Sequence, residues 1–233
     1  MKTDDFATLG GVDKAKPVPS ARARLPRPVR ERQMLEAATH VFAQSGYHNT
    51  SMDQVADQVG ISKPMIYSYF DSKEGLYKSC LERAGAELVE SVRASFRPGF
   101  GPERALWEGF IAFFEFLREH PTDWQLVRNE SVKDVPGLTE IVETVHNDLR
   151  GQIGELSAIV SKDTAGDPFA DRDRRSAASY ALLGAASALG NRWLDEGALT
   201  SPEDPCEQLM NFFWLGYNDL AAGKLWGRAE LTD

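Results

Sequence analysis

Apolar side chains recur along most of the chain at the three- and four-residue spacing of one buried helical face. Over residues 51–59 they follow this spacing closely; Thr50 is expected to cap the helix, and Gly60 to end it. Ser62 is the expected N-cap of a second short helix over residues 63–70. Two short helices joined by a glycine turn predict a helix-turn-helix, in which the second helix enters the DNA major groove.

The same periodicity predicts seven further helices and no alternating strand, so the fold class is predicted as all-α with about nine helices. Asp71 and Glu74 have the spacing of a capping box at the start of the fourth helix. The seven helices are expected over about residues 28–44, 72–96, 103–120, 122–132, 136–160, 171–196 and 201–222.

Composition excludes several classes of protein. The chain has 233 residues, of which 42% are hydrophobic and 26% are charged, as in ordinary globular proteins. No run of eighteen uncharged apolar residues is present, so no membrane span is expected. The N-terminus has no apolar signal region, and Cys80 and Cys206 fit no metal spacing, so a reduced, cytoplasmic protein is expected.

The net charge of −9 is unevenly distributed along the chain. Residues 22–80 hold eight Lys and Arg against six Asp and Glu, whereas residues 81–233 hold fifteen against twenty-six. Five arginines lie between Arg22 and Arg32, and Arg27 and Arg30 among them are candidates for DNA contact. A basic N-terminal arm of this kind is either a solubilising tail or a DNA-reaching segment.

The phrase TSMDQVADQVGISKPMIYSYFDSKEGL resembles the TetR family of bacterial transcriptional regulators. Its G-I-S-K, Y-x-Y-F and S-K-E-x-L elements occur in the family's order and spacing, and the close match covers about residues 30–76. The remaining residues match only in the number and length of their helices. The resemblance implies a homodimer that binds a pseudo-palindromic DNA operator and releases it when a small-molecule effector occupies the C-terminal domain.

Four segments follow from this resemblance. Residues 1–27 form a flexible basic arm, residues 28–76 the helix-turn-helix DNA-binding domain, residues 77–226 the ligand-binding and dimerisation domain, and residues 227–233 a tail. The helix over residues 72–96 is the expected lever between the two domains, since a ligand must favour one spacing of the DNA-binding modules over the other.

The resemblance also implies residue roles in DNA binding. Positions that match the family's phosphate contacts are Thr50, Ser62, Tyr67, Tyr69 and Lys73. Positions at the exposed start of the recognition helix, where bases are met, are Lys63, Pro64 and Met65. Lys63 suits a guanine edge or a phosphate, Met65 suits a thymine methyl, and both tyrosines have the alternative of packing against the first helix.

An apolar interior rich in aromatic side chains is expected to form the effector site, with a few polar groups supplying specificity. Plain core packing is the alternative for each of them. The candidate ligand contacts are Trp107, Phe110, Phe113, Phe114, Trp124, Tyr180, Trp193 and Trp214, with Arg128, Asn129, His146, Asn191 and Arg192 as the possible polar groups.

The last two helices are the expected dimer interface. Small residues at 181, 184, 185 and 188 allow close approach of helices, and Phe212, Phe213, Gly216 and Tyr217 are placed to pack across a two-fold axis. Close packing within one chain predicts the same pattern, so that alternative stays open.

Three classes of function are compatible with a helical chain of this size. A ligand-released repressor is favoured; an activator or corepressor-dependent regulator uses the same DNA module. An enzyme is disfavoured, because the chain lacks H-E-x-x-H, G-x-S-x-G and a phosphate-binding glycine loop. No catalytic residue, cofactor or metal site is therefore predicted.

Overall fold

The computed structural model describes residues 25–128, 135, 137–160 and 172–221, and across them the chain forms nine α-helices and no strand. The all-α prediction is thereby confirmed. The helices are α1 (Arg27–Asn49), α2 (Met52–Val59), α3 (Lys63–Phe70), α4 (Lys73–Ser95), α5 (Pro102–Glu119), α6 (Pro121–Val127), α7 (Leu138–Val160), α8 (Arg172–Asp195) and α9 (Glu203–Ala221).

Three predicted segments lie outside these residues. They are most of the arm (residues 1–24), the tail (residues 227–233) and residues 129–132 of the sixth predicted helix. Within the described residues, α6 ends at Val127. No helix there is long and apolar enough to cross a bilayer.

The cap of α2 differs from the prediction, which was wrong in placing Thr50 there. Ser51 is the N-cap, and its hydroxyl accepts a hydrogen bond from the backbone N–H of Gln54 at 3.2 Å. The side-chain carbonyl of Gln54 in turn accepts a hydrogen bond from the backbone N–H of Ser51 at 2.7 Å. This reciprocal pair satisfies two of the unpaired N–H groups at the helix start. Thr50 instead is buried, and its hydroxyl donates to the Gly46 carbonyl at 2.8 Å. Gly46, with φ +74°, breaks the helical path of α1 where the sequence indicated an end.

The start of α4 also differs from the predicted capping box. Ser72 is the N-cap and accepts from the Gly75 amide at 2.9 Å, so the assignment of Asp71 and Glu74 was wrong. Asp71 ends α3 with a φ of +59° and a ψ of −40°, a positive-φ conformation that is uncommon outside glycine.

Two apolar cores hold the fold together. The first is built by α1 to α4, with Phe42, Ile66 and Tyr77 among its most buried side chains. It also contains Leu126 of α6 and Leu138 of α7, which the sequence assigned to the other domain. The C-terminal helices therefore penetrate the core that supports the helix-turn-helix.

The second core is built by α4, α5 and α7 to α9, and it includes Trp124 and Val127 of α6. Neighbouring residues of this seven-residue helix thus point into different cores, Trp124 into the second and Leu126 into the first. The Trp124 indole also donates to Asn191 Oδ1 on α8 at 2.8 Å. Helix α6 is a second physical link between the two halves, beside α4.

Gly85 marks the tightest approach between α4 and α7, because a Cβ at this position would overlap the Val145 side chain. Gly85→Ala is expected to lower the free energy of unfolding by about 1–3 kcal/mol, as overpacking does in a dense core. Chemical denaturation at a fixed protein concentration measures this. Gly151→Ala on α7 is the control, since nothing lies within 4 Å of its Cβ position and helix propensity favours alanine. Equal effects of the two substitutions would contradict the packing at Gly85.

Candidate DNA-binding surface and interior cavity

Helix α3 is anchored on one side and open on the other. Ile66 and Phe70 are buried in the first core, whereas Met65 is 42% exposed and Tyr67 is 37% exposed. Pro64 is also exposed and lies in the first turn, where its missing N–H leaves no hydrogen bond unmade. The predicted base-contacting residues therefore share an outward-facing surface at the start of a rigidly held helix.

Lys63 at the first position of α3 forms an ion pair with Asp53 of α2, with a distance of 3.0 Å between Lys63 Nζ and Asp53 Oδ2. Both side chains are exposed, by 41% and 68% respectively. The hydrogen bond from Lys63 to the Asp53 carboxylate, with their charge attraction, raises the pKa of Lys63. The ammonium is thus engaged within the protein while it remains accessible from outside.

Lys73 is held more firmly than a surface lysine usually is. Its Nζ donates to the His48 carbonyl at 3.2 Å and lies 4.8 Å from the centre of the Tyr47 ring. Partial burial lowers the pKa of Lys73. The residue belongs to the first turn of α4, where the helix dipole also favours an anion. The Lys73 ammonium is therefore held in a defined position close to α2 and α3.

The remaining predicted DNA contacts differ in accessibility. The Arg27 guanidinium lies 4.8 Å from the centre of the half-buried Tyr69 ring, which joins the start of α1 to α3. Arg30 donates to Gln33 at 3.2 Å on the α1 surface, and Ser62 is exposed with no side-chain cap bond. Thr50 is 3% exposed, and its hydroxyl donates a hydrogen bond to the Gly46 carbonyl. Its side chain does not reach the surface that the others share.

The second core contains a cavity of about 40 Å³. Its walls come from α4, α5, α7 and α8 and are apolar throughout; they are Val92, Phe96, Leu106, Gly109, Phe110, Phe113, Leu149, Ile153, Leu182, Leu183 and Ala186. Drug-sized ligands occupy pockets of roughly 300–1,000 Å³, so the cavity as it stands is closed to them.

Most of the predicted ligand contacts do not line this cavity; Phe110 and Phe113 do. Trp124, Phe114 and Trp193 are buried in the surrounding core, and Trp107 packs against its edge. The Trp193 indole donates to Thr200 Oγ1 at 3.0 Å, beside a separate cleft between α8 and α9.

Three of the polar or amphipathic candidates also lie elsewhere. Arg128 forms an ion pair with Asp195 at 3.5 Å. Tyr180 is 56% exposed, with the Arg150 guanidinium 4.0 Å from its ring centre. His146 is half-buried, and burial lowers its pKa. None of the three provides a polar group to the cavity wall.

Comparison with known proteins bears on this arrangement. The model of the family described as bacterial regulatory proteins, tetR family, matches residues 34–80. Over 193 residues the chain is 30% identical to the HTH-type transcriptional activator FasR of Mycolicibacterium smegmatis, covering 83% of this chain and 85% of that protein. The chain belongs to the TetR family. It is accordingly a DNA-binding transcriptional regulator, and the family resemblance read from the sequence is confirmed.

Solved structures support the same fold. A TetR-like transcriptional regulator from Rhodococcus sp. RHA1 is 31% identical, with a TM-score of 0.68 over 86% of this chain and 100% of that one. The transcriptional regulator FadR from Bacillus subtilis, solved in complex with stearoyl-CoA, is 18% identical, with a TM-score of 0.61 over 83% of this chain and 99% of that one. At that identity the second likeness concerns the fold alone.

This TetR-family chain exposes an apolar face on its last two described helices. We call it the α8/α9 face and define it by Ala177, Ala181, Gly184, Ala188, Phe212 and Leu215. Phe212 is 81% exposed and Leu215 is 62% exposed, and none of the residues that the structure describes lies within 4 Å of a Cβ placed at Gly184. Ala185 and Phe213, also expected there, instead pack partly against the second core.

A buried ionic cluster joins α1, α4 and α6 and was missed from the sequence. Arg83 of α4 donates to the carboxylate of Asp123 on α6 and, at 3.1 Å, to the Thr39 hydroxyl on α1. Asp123 is 5% exposed, and its burial raises its pKa while Arg83 opposes that shift. No periodicity signals such a pair, because two charged residues forty positions apart look like ordinary surface residues.

Glu87 and His120 lie beside the same cluster. With Asp123 they bring possible metal-ligand atoms within 4.8 Å of one another. The Arg83 guanidinium already pairs with both carboxylates, at 3.0 Å for Glu87. Its positive charge in the middle of the group disfavours a metal ion there.

Proposed function

We propose that the chain binds a pseudo-palindromic DNA operator as a homodimer and responds to an effector with an apolar chain. The observation that carries the proposal is the surface of α3, which turns Lys63, Met65 and Tyr67 outward while buried residues fix the helix. Residues 28–76 are the proposed DNA-binding domain and residues 77–226 the ligand-binding and dimerisation domain, with the arm before them and the tail after. The division is not strict, since Tyr77, Cys80, Leu81, Leu126 and Leu138 of the second segment pack in the first core.

DNA contact is proposed to divide between positioning and reading residues. Lys73, Tyr67, Tyr69 and Ser62 are placed to meet phosphates, which fix the register of a protein on DNA without reading sequence. Lys63, Pro64 and Met65 are placed to meet base edges. Arg27 and Arg30 extend the basic side of the surface. Thr50 is proposed to act through the local backbone, because its side chain is buried.

Lys73→Ala is expected to weaken DNA binding about fivefold to tenfold near 0.1 M salt and to reduce the slope of log K against log salt by about one, because one phosphate contact is lost. Fluorescence anisotropy with a labelled duplex measures both. Lys78→Ala removes the same charge from α4, at an exposed lysine whose neighbour is Glu82 at 3.9 Å, and is the matched control. Identical losses for the two variants would count against a specific role of Lys73.

The effector is proposed to enter the second core by separating its helices. A cavity of about 40 Å³ is several times smaller than the pockets that drug-sized ligands occupy, so any ligand of that size must widen it. Val92 of α4 and Phe96, the C-cap of that helix, form part of the wall, and α4 begins beside the proposed DNA-binding surface. Widening the cavity therefore shifts α4, and this is the proposed route from effector to DNA.

An apolar wall favours an effector with a hydrocarbon chain, and the stearoyl-CoA bound by the Bacillus subtilis FadR makes that molecule a suitable probe. Stearoyl-CoA is expected to change DNA affinity, whereas CoA alone is expected to have no effect. Ala186→Val, which occupies part of the cavity from α8, is expected to reduce the response while leaving DNA binding in the absence of probe unchanged. A response that Ala186→Val does not reduce would place the effector elsewhere.

Repression is the proposed output, with release of DNA on effector binding. Activation is the second candidate, because the Mycolicibacterium smegmatis relative is named a transcriptional activator. A reporter placed behind the bound promoter separates the two in a deletion strain: repression predicts higher expression than in the parent strain, and activation predicts lower expression.

A further inference from the structure

Asp53 is an acidic residue on a surface that faces a polyanion. It lies in the first turn of α2, is exposed, and pairs with Lys63, which starts α3. A carboxylate at a DNA interface repels every phosphate near it. Ion pairs as exposed as this one contribute little to protein stability. The positive end of the α2 dipole stabilises a carboxylate in this turn. That stabilisation does not require Lys63 and therefore does not account for the ion pair.

The local geometry of α3 gives Asp53 a defined partner. Helix α3 has no acidic residue in its first turn and no side-chain cap bond from Ser62. A lysine at the first helical position lies at the positive end of the helix dipole, which is unfavourable for it. The Asp53 carboxylate, 3.0 Å from Lys63 Nζ, supplies the missing negative charge from the neighbouring helix. It thereby fixes one position of a side chain that otherwise samples many rotamers.

We infer that Asp53 is a positioning residue that makes DNA contact by Lys63 conditional on a well-placed acceptor. In the free protein the ammonium is compensated by Asp53. A loosely placed phosphate has to compete with that carboxylate, so Lys63 adds little to non-specific binding. A base edge at the correct position offers a directed hydrogen bond and draws Lys63 from Asp53 or shares it. The inference rests on the proposed placement of Lys63 at the major groove.

The pair thus affects discrimination between sequences more than affinity. Removing the Asp53 charge frees Lys63 to meet any phosphate, which raises non-specific affinity and reduces the advantage of the correct site. Asp57 provides the matched comparison, because it is an exposed aspartate of the same helix with no ion pair among the described residues. General repulsion between DNA and an acidic group acts on both residues, whereas control of Lys63 belongs to Asp53 alone.

The test compares Asp53→Asn and Asp57→Asn, each with Lys63 present and in the Lys63→Ala background, using the full-length protein. Binding to a random-sequence 30-base-pair duplex is measured from 50 to 200 mM salt. Asp53→Asn is expected to tighten binding roughly fivefold near 0.1 M salt and to steepen the salt slope by about one, as one new phosphate contact does. Asp57→Asn is expected to change the affinity less than twofold.

In the Lys63→Ala background the two substitutions are expected to have equal, small effects. The ratio of affinity for a selected genomic fragment over the random duplex is expected to fall with Asp53→Asn and to stay constant with Asp57→Asn. Equal effects of the two substitutions with Lys63 present would overturn the inference and leave DNA binding by this surface intact. If neither the wild type nor any variant bound duplex DNA, the proposed function would fail together with the inference. Unchanged melting temperatures verify that the variants are folded.

Discussion

Phe212→Glu combined with Leu215→Glu is expected to convert the proposed dimer to a monomer and to weaken operator binding roughly a thousandfold. Both side chains lie on the α8/α9 face and are exposed by 81% and 62% in the single chain. Two carboxylates per chain would meet their counterparts across a two-fold axis, because such an interface brings the same patch of each subunit together. A lone DNA-binding module keeps half of the contacts, and its affinity falls towards that of non-specific binding.

Light scattering after size exclusion measures the mass, which is expected to fall from about twice 25.8 kDa to that of one chain. Leu199→Glu is the matched control. Leu199 is 89% exposed, but it lies in the connection between α8 and α9 and is not part of the α8/α9 face. It is expected to leave both mass and operator affinity unchanged. A double variant that stays dimeric, with wild-type affinity, would contradict dimerisation through this face.

Asp123→Ala is expected to lower the free energy of unfolding by about 3 kcal/mol, because it leaves the mostly buried Arg83 without its closest carboxylate. The value lies at the low end for a broken buried pair, since Glu87 and Thr39 still accept from Arg83. The cluster joins α1, α4 and α6, so its loss is also expected to weaken the response of DNA binding to stearoyl-CoA. Denaturant unfolding and anisotropy titrations measure the two effects separately.

Asp123→Asn retains an acceptor for Arg83 and is expected to cost less than Asp123→Ala. Glu90→Ala serves as the surface control, because the Arg93–Glu90 pair is exposed on both sides and such pairs contribute at most about 1 kcal/mol. Replacing both Arg83 and Asp123 with leucine is expected to restore much of the stability. Substituting apolar residues for a buried ion pair often leaves the free energy of unfolding nearly unchanged. If Asp123→Ala behaved like Glu90→Ala, the cluster would not join the two halves of the fold.

Helical periodicity predicted the element order well, because each helix buries one face and the 3.6-residue repeat reports it directly. Helix ends were less predictable, since Thr50 and Ser51 are both good caps and only the path of the chain after Gly46 selects Ser51. The same applies to Asp71 and Ser72 at the start of α4. Propensity identifies suitable residue types, whereas the backbone decides which of two neighbours takes the role.

The proposed functional surfaces were predictable to different degrees. The α3 surface follows from a local motif, so the exposure of Lys63, Met65 and Tyr67 was predicted from sequence alone. The ion pair between Asp53 and Lys63 was missed because the two residues lie ten positions apart. The cavity depends on how four helices pack, and aromatic content indicated Trp193 and Tyr180 where Leu149 and Leu182 form the wall instead. The ion pair between Arg83 and Asp123 was missed for the same reason, because it too depends on how the helices pack.

Selection of genomic fragments by the purified protein, followed by footprinting of the enriched fragments, tests the central claim most directly. Because a dimer presents two α3 helices related by a two-fold axis, the footprint is expected to contain two inverted half-sites about one helical turn or a multiple of it apart. The Lys73→Ala, Tyr67→Ala double variant is expected to give no enrichment at these sites. Enrichment by the variant equal to that by the wild type, or a wild-type footprint without inverted symmetry, would contradict the account.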